Sequence, residues 1–186
     1  MNYAKIEDED VVNGQGIGVS LFVQGCHFSC PGCFNPETHD FNGGKEWTDS
    51  TLKRFIQLID RPYIKRVTIL GGEALAAENV SDVLNLVKQI RLLFGHTKTI
   101  WIYTGYVWES IMNRVYFDDD FDYISESYEE CLNEKREQII RNCDVLVDGR
   151  FEKDKADLSY PFAGSTNQRV IDVQKSIEKG EVILWL

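Results

Sequence analysis

Apolar residues recur along this chain in two alternating rhythms. Ile17 to Val23 is rich in β-formers and stops at Gly25, which predicts a first strand. Leu52, Phe55, Ile56 and Ile59 fall at i, i+3, i+4, i+7, the stripe of an amphipathic helix, and Thr48, Asp49 or Ser50 can cap it. Val67 to Leu70 predicts a short buried strand closed by Gly71-Gly72. A second helix carries Val80, Val83, Leu84, Val87, Ile90 and Phe94 on one face, with Asn79 or Ser81 as cap and Gly95 beyond its end. Ile100 to Tyr103 predicts a third strand before Thr104-Gly105, Glu129 to Arg141 a third helix, and Val145 to Val147 a fourth strand before Asp148-Gly149.

Strands alternating with helices of this length imply βαβ units and a parallel sheet. Four or five strands are too few for a closed eight-strand barrel. The expected fold is therefore α/β, an open partial βα barrel with a mostly parallel sheet. Ligands collect at the carboxyl ends of such strands. Gly25-Cys26, Gly71-Gly72-Glu73, Thr104-Gly105 and Asp148-Gly149 all sit there, so one rim is expected to carry the site.

A length of 186 residues suits a single domain. With 43% hydrophobic, 12% aromatic and 27% charged residues, the composition excludes disordered and fibrous chains. Twenty Lys and Arg against thirty Asp and Glu give a net charge of −10, which argues against nucleic acid or anionic lipid as the main partner. The longest apolar run, Val182 to Leu186, falls far short of the about 20 residues of a membrane span, and Met1 to Asp10 is acidic where a secretory signal would be basic. A soluble cytoplasmic protein is expected. From Tyr116 to Glu130 seven acidic residues occur with no basic one, which reads as a solvated loop or helix start, with partner docking or metal binding as the competing reading.

Five cysteines are an odd number, and Cys26, Cys30 and Cys33 are bunched while Cys131 and Cys143 stand apart. In a reducing compartment this favours metal ligands over a disulfide framework. The spacing C-x3-C-x2-C lets three thiolates reach three irons of a cubane and leaves the fourth iron open to a small chelating molecule. Zinc is the alternative, with Cys131, Cys143, His27, His39 or His96 as fourth ligand, although no second knuckle is present. Three coincidental thiols are the bland reading. Cys131 and Cys143 themselves read as buried small hydrophobes.

Together, Cys26-x3-Cys30-x2-Cys33 with Phe34 after it, and Gly71-Gly72-Glu73 past the second strand, resemble the radical S-adenosylmethionine (SAM) superfamily. Where many relatives follow the glycine turn with Pro-Leu, this chain has Ala74-Leu75. Within the superfamily it is similar to the activating proteins of anaerobic ribonucleoside-triphosphate reductases. The similarity runs from Val12-Asn13-Gly14-x-Gly16 through Leu21 to Cys26 and Asn35 to Trp101-x-x-Thr104-Gly105-Tyr106. It continues in Val145-x-Val147-Asp148-Gly149-x-Phe151 and Gly164-Ser165-x-Asn167-Gln168-Arg169. Phe162-Ala163 stands where relatives often have Trp-Arg, residues 116–130 look like an acidic insertion, and 170–186 like a C-terminal extension that adds an edge strand.

The resemblance implies that Cys26, Cys30 and Cys33 hold a [4Fe-4S] cluster whose open iron is chelated by SAM. Gly71, Gly72 and Glu73 are then expected at the SAM amine, with Gly32 and Phe34 near the adenine and Cys33, an iron ligand, also counted among the cofactor-binding residues. Thr104 and Gly105 are weaker pocket residues that read equally well as a strand-end turn. One-electron cleavage of the sulfonium would give a 5′-deoxyadenosyl radical, which takes a hydrogen from a glycine of the reductase large subunit. No side chain is implied as general acid or base. A low-potential donor such as flavodoxin or ferredoxin would supply the electron. Alternatives are activation of another glycyl-radical enzyme, such as pyruvate formate-lyase, and a non-catalytic metal module. Asn167, Gln168 and Arg169 read either as contacts to the partner's glycine loop or as a surface turn, and His27 either as a group tuning the cluster or as a solvated loop residue.

Overall fold

The computed structural model describes residues 1–112 and 126–185. Seven strands form one open sheet: β1 (Asn2–Asp10), β2 (Gly18–Val23), β3 (Lys45–Glu46), β4 (Arg66–Gly71), β5 (Thr99–Tyr103), β6 (Val145–Asp148) and β7 (Arg169–Asp172), in spatial order β3-β1-β2-β4-β5-β6-β7. Among the described residues five α-helices accompany them: α1 (Asp49–Ile59), α2 (Val80–Phe94), α3 (Trp108–Met112), α4 (Glu126–Arg141) and α5 (Val173–Lys179).

The middle of the sheet, β2-β4-β5-β6, is parallel, as the alternation of strands and helices requires. Antiparallel strands flank it, β1 and β3 on one side and β7 on the other, which corrects the expected four or five strands. The additional strands escaped the hydrophobic pattern for physical reasons. β1, with the sequence NYAKIEDED, is half exposed and acidic, so only its ladder to β2 makes it a strand. β7 has four residues. The expected edge strand at the tail is instead β7 itself, along which the tail runs. Trp185 donates to the Val170 carbonyl at 2.8 Å and Leu184 bridges Ile171.

The main core lies between the sheet and the helices, and takes Leu52, Phe55 and Ile59 of α1 and Val80, Val83, Leu86, Val87 and Ile90 of α2. Thr48 caps α1 by accepting from the Thr51 N–H at 3.2 Å. Ile100 and Ile102 face this core, whereas Trp101 faces the opposite side of the sheet with Val145, Val147 and Val170, packed by Phe162 and Trp185. Tyr103 is on that second face and lines a cavity there. Cys143 is fully buried in the main core as expected, but Cys131 is exposed on α4. The acidic stretch lies outside the described residues as far as position 125; from Glu126 it enters α4. Among the described residues no helix is long and apolar enough to cross a membrane.

Candidate functional site

The loop after β2 carries the three bunched cysteines. Gly25 turns the chain with φ +94°, and a Cβ there would fall 2.0 Å from the Phe41 ring. The loop then closes on itself: Gly25 N–H donates to the Thr38 carbonyl at 2.8 Å and Cys26 N–H to that of His39 at 3.1 Å. Gln24 secures the closure by donating to the carbonyls of Glu37 and Asp40. Inside the loop, Cys33 N–H donates to the Cys30 carbonyl, and the Asn35 N–H reaches Cys33 Sγ at 3.4 Å. All three thiols are half-buried. Burial, followed by the charge of Glu73, pushes the Cys26 thiol up to about 11, against the pull of the Phe28 and Ser29 N–H groups. Burial also raises Cys30. His27 stacks on Phe41 with centroids 4.4 Å apart and pairs with Glu78 at 3.1 Å.

The turn after β4 packs directly against this loop. Gly72 N–H donates to the Val23 carbonyl at 2.9 Å and Glu73 N–H to the Gly25 carbonyl at 2.7 Å. Glu73 is only 2% exposed, an expensive place for a carboxylate without donors. Its donors come from its own turn and from the neighbouring one. Oε1 accepts from Leu75 N–H at 2.8 Å and Thr104 Oγ1 at 2.7 Å, and Oε2 accepts from Gly105 N–H at 2.8 Å. Burial raises its pKa, while those donors and the charge of Arg136 oppose the rise. Asn79 precedes α2, yet its side chain does not cap the helix. It donates instead to the carbonyls of Gln24 and Glu73, tying the two loops together.

Phe28 joins the cluster loop to the ends of β5 and β6. Its ring meets Tyr106 edge-on at 5.0 Å, lies 4.3 Å from the Arg150 guanidinium, and would sit 2.4 Å from a Cβ at Gly105. The last wall comes from the segment after β6. Gln168 accepts from the N–H groups of Gly164 and Ser165 and donates to the Gly149 carbonyl. Arg169 pairs with Asp148 and Glu109, and Asn167 donates to the Arg150 carbonyl. These three side chains thus build the wall from within.

The turns enclose one open cavity of about 780 Å³. Cys26, Cys30, Cys33 and Phe34 line it on one side, Gly71, Gly72, Glu73, Thr104 and Gly105 on another. Gly32 is set behind the lining, facing the Lys153 side chain. Phe34 is 57% exposed and packs on Phe151 at 4.9 Å. Sequence reasoning missed Lys5 and Glu7 of β1, Phe22, Leu70, Tyr103 and the segment from Leu158 to Pro161, which also line it. Its only pointers to that far wall were the similarities around Gly149 and Gly164.

The donor set fits an iron–sulfur cluster. Three thiols face one cavity, while the other cysteines are in the core or on the outside of α4. Among the described residues no three His, Cys, Asp or Glu side chains are grouped around a single ion position. A cubane instead takes each thiolate on a different iron.

Residues 12–171 match the family described as a 4Fe-4S single cluster domain. Among curated proteins, the chain is similar to the anaerobic ribonucleoside-triphosphate reductase-activating protein of Escherichia coli (strain K12). The two are 35% identical over 172 residues, 91% of this chain and 97% of that protein. The protein of the same name from Enterobacteria phage T4 is 32% identical over 170 residues, covering 91% and 93% of the two chains. That from Pasteurella multocida is 33% identical over 170 residues, covering 90% and 95%. With three cysteines on one cavity and likeness over nearly its whole length, the chain belongs to the 4Fe-4S family of anaerobic ribonucleoside-triphosphate reductase-activating proteins.

Proposed function

We propose that this chain is a radical SAM activase that cleaves S-adenosylmethionine reductively and places a glycyl radical on an anaerobic ribonucleoside-triphosphate reductase. The observation that carries the reading is the meeting of the cysteine loop, the Gly71–Glu73 turn and the Thr104-Gly105 turn around one cavity. Bound there, a [4Fe-4S] cluster with SAM supplies one-electron cleavage of a carbon–sulfur bond.

Cys26, Cys30 and Cys33 would each hold one iron, leaving a corner for the amine and carboxylate of SAM. Gly71 and Gly72 let backbone approach a ligand closely. Glu73 already accepts three hydrogen bonds of about four its oxygens can take. What it offers an ammonium group is one remaining acceptor and its negative charge. Phe34, with Gly32 behind it, supplies an apolar surface for the adenine, and the surrounding wall excludes water. No side chain is assigned as acid or base.

The large subunit of the reductase is the partner in this reading, and a low-potential flavodoxin or ferredoxin the electron source. Reduced thiols and oxygen-sensitive chemistry favour the cytoplasm. The continuous sheet supports one radical SAM domain over 1–186, with an acidic insertion near 116–130 and an extension over 170–186. Its open edge and the cavity on one face support a partial βα barrel.

The deciding experiment mixes anaerobically reconstituted protein, a strong reductant, SAM and the reductase. Brown protein with about four irons per chain, release of 5′-deoxyadenosine and a glycyl radical signal by electron paramagnetic resonance are expected. Cys30→Ala should lose iron and SAM cleavage together. Its retention of both, or a colourless zinc protein without SAM turnover, overturns the reading.

A further inference from the structure

Arg136 lies on α4, outside every motif above, yet its guanidinium reaches the turns after β4 and β5. It is buried, a costly location for a charge unless its donors are met. Each of its three nitrogens has a partner: Nε donates to the Leu75 carbonyl at 3.0 Å, Nη1 to Asn133 Oδ1 at 2.9 Å and Nη2 to the Tyr106 hydroxyl at 3.3 Å. The Tyr106 ring is 4.8 Å from the guanidinium carbon, and the Glu129 carboxylate is 3.8 Å from Nη1.

Leu75 is therefore gripped at both ends of its backbone, its N–H by Glu73 and its carbonyl by Arg136. Tyr106 is held just as firmly. Its N–H donates to Thr104 Oγ1 at 3.1 Å, its carbonyl accepts from Gly149 N–H at 3.0 Å, and its ring abuts Phe28 of the cysteine loop. One cation thus joins the Gly71–Glu73 turn, the Thr104-Gly105 turn and, through Tyr106, the loop that carries the thiols. The two glycines have wide conformational freedom. Glu73 ties its own turn to Leu75 N–H and to the Thr104-Gly105 turn, and Arg136 adds a second tie between the same turns from α4.

We propose that Arg136 is a positioning residue for SAM: by holding Leu75 and Tyr106 it fixes the spacing of the two glycine turns that receive the ligand. The inference rests on the activase reading above. Arg136 lines no part of the cavity, so it acts through the turns.

Full-length Arg136→Gln and Arg136→Lys test it with three measurements. Hydrogen exchange of the cluster-free protein should quicken about tenfold at residues 73–76 and 104–107 in the Gln variant, without need of iron or SAM. Iron content after reconstitution should match wild type. KM for SAM should rise about tenfold, as when a partner supporting a bound ligand's contacts is removed, while kcat at saturating SAM changes less than about threefold. Lys keeps the charge but not the planar fork, so R136K should fall between; it carries the same comparison should R136Q fold poorly. A lowered melting temperature with unchanged KM makes Arg136 merely structural and overturns the proposal. So does a raised KM with unaltered exchange at both turns. Wild-type protein that takes up iron yet binds no SAM would instead sink the activase reading.

Discussion

Gly72→Ala probes the joint between the two halves of the site. A Cβ on Gly72 would lie 2.4 Å from the Gly25 carbonyl oxygen, 3.0 Å from the Gly25 carbonyl carbon and 3.0 Å from the Thr38 oxygen. All three atoms are backbone, so no side chain can swing aside. Ordinary carbon–oxygen contacts are about 3.3–3.6 Å, and the β4 turn would have to retreat by about 1 Å. That movement breaks the 2.7 Å bond from Glu73 N–H to the same Gly25 oxygen. Overpacking of this kind costs about 1–3 kcal/mol, and the lost hydrogen bond about 1 kcal/mol. The expected total of about 2–4 kcal/mol lowers the melting temperature by roughly 4–16 °C at this chain length. Circular dichroism melts of the cluster-free protein measure it, followed by KM for SAM on the reconstituted protein, which should rise. Gly180→Ala is the control: it caps α5 at φ +71° with nothing within 4 Å. It should cost about 1–2 kcal/mol from backbone strain alone and leave KM unchanged. A Gly72→Ala protein that melts with wild type and binds SAM equally well would refute the reasoning.

Thr48→Ala removes the acceptor for Thr51 N–H and should cost about 1 kcal/mol. A melting shift of about 2–4 °C with full iron content is expected, because α1 packs on the far face of the sheet. Asp10 is a pH probe. Burial raises its pKa, but hydrogen bonds from Ser20, Val12 and Asn13 and the charge of Arg66 outweigh this and lower it overall. A carboxylate with a depressed folded pKa adds stability that is present above its unfolded pKa and is lost as pH falls through the folded one. Asp10→Asn leaves buried Arg66 uncompensated, so it should destabilise by about 3–5 kcal/mol at pH 7. Denaturant titrations should show that deficit shrinking below about pH 4. A gap constant down to pH 2 would contradict the assignment.

Elements with a strong local rhythm were legible. The α1 stripe buries Leu52, Phe55 and Ile59 as its spacing requires, and Thr48 is its cap. β4, α2, β5, α4 and β6 all lie where periodicity and glycine stops place them. Even so, α2 buries Leu86, which the expected stripe omitted. β3 and α5, with two and seven residues, are too short for periodicity to register. Asn79 illustrates a subtler limit, since its position before α2 marks a cap while its amide serves two loops instead.

The sequence alone determined the chemistry on offer. Three thiols at C-x3-C-x2-C, two glycines and a carboxylate at a strand end, and the alternation that puts them on one rim are all local properties of the chain. Tertiary structure decided who meets whom. Glu73 finds its donors on Thr104 and Gly105, Leu75 its partner on Arg136, and Gly149 its partner on Gln168. Such pairings join segments far apart in the chain, and no periodicity encodes them. They arise because buried polar groups must find partners once the sheet and helices have excluded water.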